Sequence, residues 1–237
     1  MHTIGLLGGM SWESTRTYYR LLNEGVRARL GGLHSAKLLM HSFDFAEIAA
    51  MQHAGEWDAL GEKMADAAVS MEKGGAEAII ICTNLMHKLA PYVEEATTIP
   101  LLHIADAVAA EMKAGGQQKA ALLGAGYTME ESFYADRLAQ HGLDVVIPEG
   151  DDFAMVHASV YEELCQGKFT DETRANYQAT IERLQERGAE CVILGCTEIP
   201  LLIQQEHCDV PLHDTTAIHA EAALKWMFDE GAESKAA

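Results

Sequence analysis

Short β-branched or leucine-rich runs alternate along the chain with longer segments in which apolar residues recur every three or four positions. That alternation is expected of parallel sheets covered by helices. About eight runs read as strands: Thr3–Leu7, Lys37–His41, Ala78–Cys82, Pro100–His103, Lys119–Leu123, Asp144–Ile147, Cys191–Leu194 and Val210–Leu212. Amphipathic stretches such as Ser14–Leu30, Glu56–Lys73, Glu131–Gln140 and Asp171–Arg187 read as helices. Glycines at Gly74-Gly75, Gly115-Gly116, Gly142 and Gly188 fit helix ends that precede strands.

The pattern repeats. Gly75–Asn84 (GAEAIIICTN) aligns without gaps on Gly188–Thr197 (GAECVILGCT), an offset of 113 residues. Thr3–Gly8 matches Lys119–Gly124 at an offset of 116, and Ile99-Pro100-Leu101 matches Val210-Pro211-Leu212 at an offset of 111. Both halves therefore read strand, helix, strand, helix, strand in one order. The expected fold class is α/β, with two pseudo-symmetric domains from a duplicated unit, each a mainly parallel sheet flanked by helices. A duplication can be architecture alone. Because strand C-termini of such sheets face the ligand crevice, it can also set equivalent residues on opposite sides of one site. The alignment then pairs Thr83 with Cys196 and Asn84 with Thr197.

Composition narrows the function classes. The 237 residues are 49% hydrophobic and 22% charged, enough to bury a sizeable core. With 36 Asp+Glu against 17 Lys+Arg the net charge is -19, which repels phosphate backbones and argues against nucleic acid as a partner. No apolar run approaches the ~18 residues of a membrane span, and the N-terminus lacks a basic leader followed by a long apolar stretch. The expectation is a cytoplasmic protein with no membrane partner. Five cysteines without CxxC or Cys/His spacing, and eleven scattered histidines without an HExxH, predict no metal site.

Candidate chemistry gathers at strand ends. Cys196 follows the buried-looking Val192–Gly195, where a thiol with a reference pKa of about 8.5 can be lowered toward neutrality by donors or a helix N-terminus. A structural buried cysteine is the competing reading. Thr83, Asn84 and His87 follow the equivalent strand. Asn84 suits a carboxylate or an ammonium and Thr83 a hydrogen bond at a reacting carbon, while helix capping competes for both. The turn Gly5–Trp12 is neither GxGxxG nor a P-loop. Its backbone N–H groups after Gly8 and Gly9 fit a small carboxylate, or its glycines serve close helix–strand packing. His87, His103, His213 and His219 read as packing or hydrogen-bonding residues.

Three motifs in order, GLLGGMSWEST at Gly5–Thr15, CTNLMH at Cys82–His87 and GCTEI at Gly195–Ile199, resemble the aspartate/glutamate racemase family. The likeness runs from Thr3 to about Phe228 and looks closest to the L-aspartate/glutamate-specific and broad-specificity amino-acid racemases. It implies two α/β domains, expected at 1–103 with 209–237 and at 104–208, with the active site between them. It also implies a homodimer, a small-molecule amino-acid substrate and no cofactor. In the family's two-base mechanism, one cysteine removes the α-proton and a second protonates the other face. Here the first of those positions is Thr83, a weak base, which leaves Cys196 as the strong one. Cys82, one residue earlier, should point away because strand side chains alternate.

The resemblance also places Met10, Gln52, Asn84, Leu85, Thr197 and Glu198 around the substrate. Where acidic-substrate racemases commonly carry an Arg and a Lys, this chain has Gln52 and Cys165, with Lys168 nearby. The leading expectation is a cofactor-independent racemase of aspartate, glutamate or related amino acids, with Cys196 and Thr83 on opposite faces of Cα. The alternatives are a single-cysteine, decarboxylase-like enzyme of the same superfamily and a catalytically silent amino-acid-binding module.

Overall fold

Parallel strands buried on both faces dominate a computed structural model that describes residues 1–229. The fold is mixed α/β in two compact units, Met1–Ile104 with the segment from Thr216 onward, and Ala105–Thr215. In the first unit β1 (Ile4–Gly8) lies between β2 (Leu38–Ser42) and β3 (Ala78–Ile81), all parallel. In the second, β4 (Lys119–Leu123), β5 (Asp144–Val146), β6 (Cys191–Leu194) and β7 (Leu212–Asp214) form a parallel sheet in the order β5-β4-β6-β7.

The helices follow the apolar spacing. Trp12–Leu30 buries Tyr18, Leu22 and Val26, each four residues after the last. Asp171–Glu186 starts where the Thr170 hydroxyl accepts the Thr173 N–H at 3.0 Å, with Asp171 and Glu172 favourably placed in its first turn, and it buries Tyr177, Ile181 and Leu184. Gly75, Gly116, Gly142 and Gly188 all take positive φ where helices turn into strands. In the first unit, one apolar cluster packs Leu7, Ile79 and Ile81 under the helix Trp57–Lys73. A second packs Ile4, Leu6 and Cys82 against Tyr18 and Leu224.

Each unit has the same internal wiring, taken by itself. The Glu77 N–H donates to Thr3 O at 2.9 Å, and the Glu190 N–H to Lys119 O at 2.8 Å. Ile79 and Val192 donate to Pro100 O and Pro211 O, both at 2.9 Å. Cys82 donates to Leu7 O at 2.9 Å and Gly195 to Leu123 O at 2.7 Å. The repeated Gly-Ala-Glu has a structural reason. The glycine turns the chain at φ 98° or 91°, and the Glu carboxylate accepts the N–H of Thr3 in one unit and of Gln118 in the other.

Two expectations are corrected. Pro100–His103 is not a strand: a single bridge, Ile79 with Leu101, stands where the other unit has β7. Histidines divert the chain there, His219 taking Leu102 O at 2.7 Å and His87 Nε2 accepting the Ile104 N–H at 3.2 Å. The position equivalent to His87 is Pro200, which offers no such acceptor. The segment from residue 209 was expected in the first unit, yet β7 pairs with β6, so the chain returns to the first unit only at Thr216. Residues 230–237 of that expected segment lie outside the described residues.

His87, His103 and His219 are buried together, with ring centroids 4.6 and 5.5 Å from His87. Burial, then its two histidine neighbours, hold His87 well below the usual histidine range, so it is neutral in the fold. A group depressed in this way contributes stability above its unfolded pKa of about 6.5 and loses it as pH falls below that value, by up to about 1.4 kcal/mol per pH unit. The urea midpoint should therefore fall between pH 7.5 and 5.5, and His87→Gln should flatten the dependence. An equally steep profile in the variant would show that other groups carry it.

Candidate active site

The first unit offers its strand C-termini side by side. β1 runs into Gly9 and Met10, β3 runs into Cys82, Thr83 and Asn84, and the pairing of Leu7 with Ile81 puts both exits at one edge of the sheet. Gly9 has φ 83°, and a Cβ there would strike the backbone of Phe43. A Cβ on Gly8 would strike Thr15. The Gly9 N–H donates to Thr15 Oγ1 at 2.9 Å, and Thr15 in turn donates to Ser11 O at 3.0 Å. Close packing thus accounts for the glycines, and the Gly9 N–H expected to bind a carboxylate is already engaged.

Thr83 and Leu85 are half-buried, Met10 and Asn84 buried. Asn84 stands at the N-cap of the 3-10 turn Leu85–Leu89 without a side-chain capping bond, so capping does not explain it. The Thr83 carbonyl accepts the His87 Nδ1–H at 2.8 Å, while His87 Nε2 takes the Ile104 N–H. These two bonds set the tautomer of His87 and tie down the backbone that presents the Thr83 hydroxyl. Gln52 reaches the same group from the helix Phe45–Ala54, its amide donating to Met86 Sδ at 3.1 Å.

The Cys82 thiol lies among Ile4, Leu6 and Tyr18 and is pushed far up by burial, which makes it an inert core residue.

In the second unit β6 ends at Leu194, and the Gly195 N–H closes onto Leu123 O, so Cys196 leaves the sheet at the post Thr83 holds in the first. The thiol donates to Glu198 Oε2 at 2.9 Å, and the Thr197 hydroxyl donates to the same oxygen at 2.7 Å. Burial, then the Glu198 charge and its hydrogen bond, hold Cys196 well above the usual thiol range. The expected lowering is thus reversed. A buried thiol facing a carboxylate keeps its proton, and the one opposing influence, a hydrogen bond from the Glu198 backbone, is weaker.

Around Cys196 stand groups that sequence reasoning did not single out. Tyr161, exposed on the helix Gly150–Glu162, interacts electrostatically with both Cys196 and Cys165. His157 on that helix accepts the Gly126 N–H at 3.0 Å and lies against Phe153 and Tyr161. It anchors the turn after β4 much as Thr15 anchors the turn after β1. Neither residue carries a local signal, because each reaches the strand ends only through the packing of its helix. Cys165 sits in the turn Leu164–Gln166, held up at about 11 by burial of its thiol and the Glu198 charge. The Lys168 ammonium donates to Gln166 Oε1 at 2.9 Å. Among the described residues no group of three or more His, Cys, Asp or Glu side chains is arranged to hold a metal ion, and no helix is long and apolar enough to cross a membrane.

Comparison with known proteins gives this geometry a family. The profile of the Asp/Glu/Hydantoin racemase family matches residues 7–223. The crystal structure of an Asp/Glu racemase candidate from Yersinia pestis is 47% identical with a TM-score of 0.93, covering 96% of this chain and 100% of that one. An aspartate racemase homologue from Pyrococcus horikoshii OT3 is 32% identical with a TM-score of 0.87 over the same shares. The broad specificity amino-acid racemase RacX of Bacillus subtilis is 23% identical over 167 residues, 70% of this chain and 72% of that protein.

Two outcomes follow from the local geometry. Gly9→Ala, with its positive φ and no room for a Cβ, should cost more than about 1 kcal/mol in a denaturant titration. Site-resolved alkylation with iodoacetamide should label the exposed Cys165 before Cys196, with Cys196 labelling rising about tenfold per pH unit between pH 7 and 9. Fast, pH-independent labelling of Cys196 at pH 7 would mean a thiolate, contrary to the environment described.

Proposed function

The chain belongs to the Asp/Glu/Hydantoin racemase family, and on that premise we propose that it is a cofactor-independent amino-acid racemase. Aspartate, glutamate or related amino acids are its substrates, and Cys196 and Thr83 act on opposite faces of Cα. The observation that carries this reading is the equivalence of the two posts. Thr83 and Cys196 each follow the residue whose N–H closes onto the neighbouring strand, at Leu7 O and Leu123 O. Inversion at carbon needs a proton-handling group on each face, and a duplicated unit provides a matched pair of positions.

The two positions differ in chemistry. Cys196 carries its proton, so it can donate to a carbanion and becomes a base only after giving that proton up. The Thr83 hydroxyl does not titrate in the working range and can pass a proton only as a donor or through water. Exchange of the α-hydrogen on the Cys196 face should therefore outpace inversion. Met10, Gln52, Asn84 and Leu85 on the first unit, and Thr197 and Glu198 on the second, are the proposed substrate contacts.

The five free thiols suit a reducing, cytoplasmic setting. Exposed Trp12 and Tyr19 on the first helix, with Met40 on the edge strand β2, suit self-association as a homodimer. The acidic surface disfavours nucleic acid.

A second reading draws on the protonated Cys196. A lone thiol acid is also what protonation of an enediolate after loss of CO₂ requires, so release of CO₂ from a disubstituted malonate without racemisation would favour a decarboxylase.

Incubation in D₂O with each amino acid in both enantiomers tests the proposal by mass spectrometry and chiral chromatography. The wild type should incorporate deuterium at Cα faster than it inverts, Cys196→Ala should abolish incorporation, and Thr83→Cys should raise the ratio of inversion to exchange. No incorporation with any amino acid would sink it.

A further inference from the structure

Two donors converge on one carboxylate oxygen just beyond β6. Glu198 Oε2 accepts the Cys196 thiol at 2.9 Å and the Thr197 hydroxyl at 2.7 Å. The backbone holds this arrangement: the Ile199 N–H donates to Cys196 O at 3.2 Å, and the Leu201 N–H to Glu198 O at 3.1 Å, at the start of the short helix Ile199–Leu202. Glu198 forms no ion pair with a Lys or Arg among the described residues, so its charge faces the thiol without a cation to neutralise it. Cys196, Thr197 and Glu198 are all half-buried, so the group they form stands at the boundary with solvent.

This geometry poses a problem for a base. A thiol already hydrogen-bonded through its own proton cannot accept a second one. The sulfur must first lose the proton it has, and its hydrogen-bond acceptor is Glu198 Oε2.

We propose that Glu198 is the proton store for Cys196. Its Oε2 takes the thiol proton when the sulfur takes the α-proton, and returns it when Cα is reprotonated. The inference rests on the racemase reading and assigns to Glu198 a task beyond holding substrate. The protons balance. The S–H bond breaks as an O–H bond forms on Glu198, and the Cα–H bond then breaks as a new S–H bond forms, its electron pair staying on Cα. Nothing is oxidised or reduced. While the carboxyl group holds its proton, that proton exchanges with water at the solvent boundary. In the same interval the carboxyl group passes its proton to water, and the freed carboxylate draws the former α-hydrogen off sulfur and replaces it with one from water. Reversal then delivers a solvent-derived hydrogen to Cα and restores the thiol and the carboxylate. Exchange on the Cys196 face thus runs without help from Thr83.

Glu198→Gln keeps an acceptor for the thiol and for Thr197 but cannot store a proton. Two readouts separate storage from a merely structural or substrate-binding part. In Glu198→Gln, kcat for Cα deuterium exchange should fall by about 100-fold or more, the lower end of general acid–base effects, with KM changed no more than a few-fold. Site-resolved iodoacetamide labelling of Cys196 should shift to lower pH in the same protein, because a negative charge beside the sulfur has gone. A more available thiolate combined with slower exchange is the signature of a lost store. Glu198→Asp, which keeps the acid on a shorter arm, should recover part of kcat and confirm that loss of fold is not the cause. Exchange in Glu198→Gln at or above the wild-type rate, or a rise in KM alone, overturns the proposal. No exchange in the wild type strikes the racemase reading itself, whereas exchange retained by Glu198→Gln strikes only the store.

Discussion

The register of parallel strands at their C-terminal ends sets where Thr83 and Cys196 stand, each in its own unit. The N–H of Cys82 closes onto Leu7 O and the N–H of Gly195 onto Leu123 O, and the residue after each closure is the first free to leave the sheet. Side chains alternate along a strand, so a shift of one residue would bring Cys82 to the exit in place of Thr83, and Gly195 in place of Cys196. A thiol would then stand at the first exit and no side chain at the second. The apolar cluster around Cys82, with Ile4, Leu6 and Tyr18, holds the register against that slip by keeping the thiol among hydrocarbon and Thr83 outside it.

Burial has opposite uses at the two exits. In the first unit it neutralises His87, and a neutral ring with one donor and one acceptor nitrogen can bind Thr83 O and the Ile104 N–H at once. A charged ring would have two donors and no acceptor for Ile104. In the second unit burial acts on an acid, and together with the Glu198 carboxylate it keeps the Cys196 proton in place. One unit therefore presents a rigidly mounted hydroxyl and the other a thiol whose proton points at a carboxylate oxygen. The repeat preserved the mounting while the chemistry at equivalent positions diverged.

The same divergence shapes the sheets. With His87 where the second unit has Pro200, the backbone near Leu102 and Ile104 is bound by imidazoles rather than by a neighbouring strand, and the fourth strand shrinks to one bridge. The second unit, free of that competition, completes β7. Donors and acceptors are satisfied in both cases, by different partners.

Much of this was legible in the chain alone. Leucine-rich and β-branched runs marked seven of the strands, glycines marked the helix ends, and the 113-residue offset marked Thr83 and Cys196 as counterparts, because each depends on local pattern or on comparison of the chain with itself. What escaped depended on contacts distant in sequence. The loss of the Pro100–His103 strand required the rings of His87 and His219, and the return of the chain to the first unit at Thr216 required the pairing of β7 with β6. The anchoring of Gly126 required His157, 31 residues further on. Glu198 was visible two residues after Cys196, yet the sign of its effect was not, since a nearby group lowers or raises a thiol's pKa according to its charge, its distance and the water left around it. The sequence determined which residue types occupy the two strand exits. Tertiary structure alone decided that the thiol keeps its proton, because only packing sets how much solvent is left to screen sulfur from carboxylate.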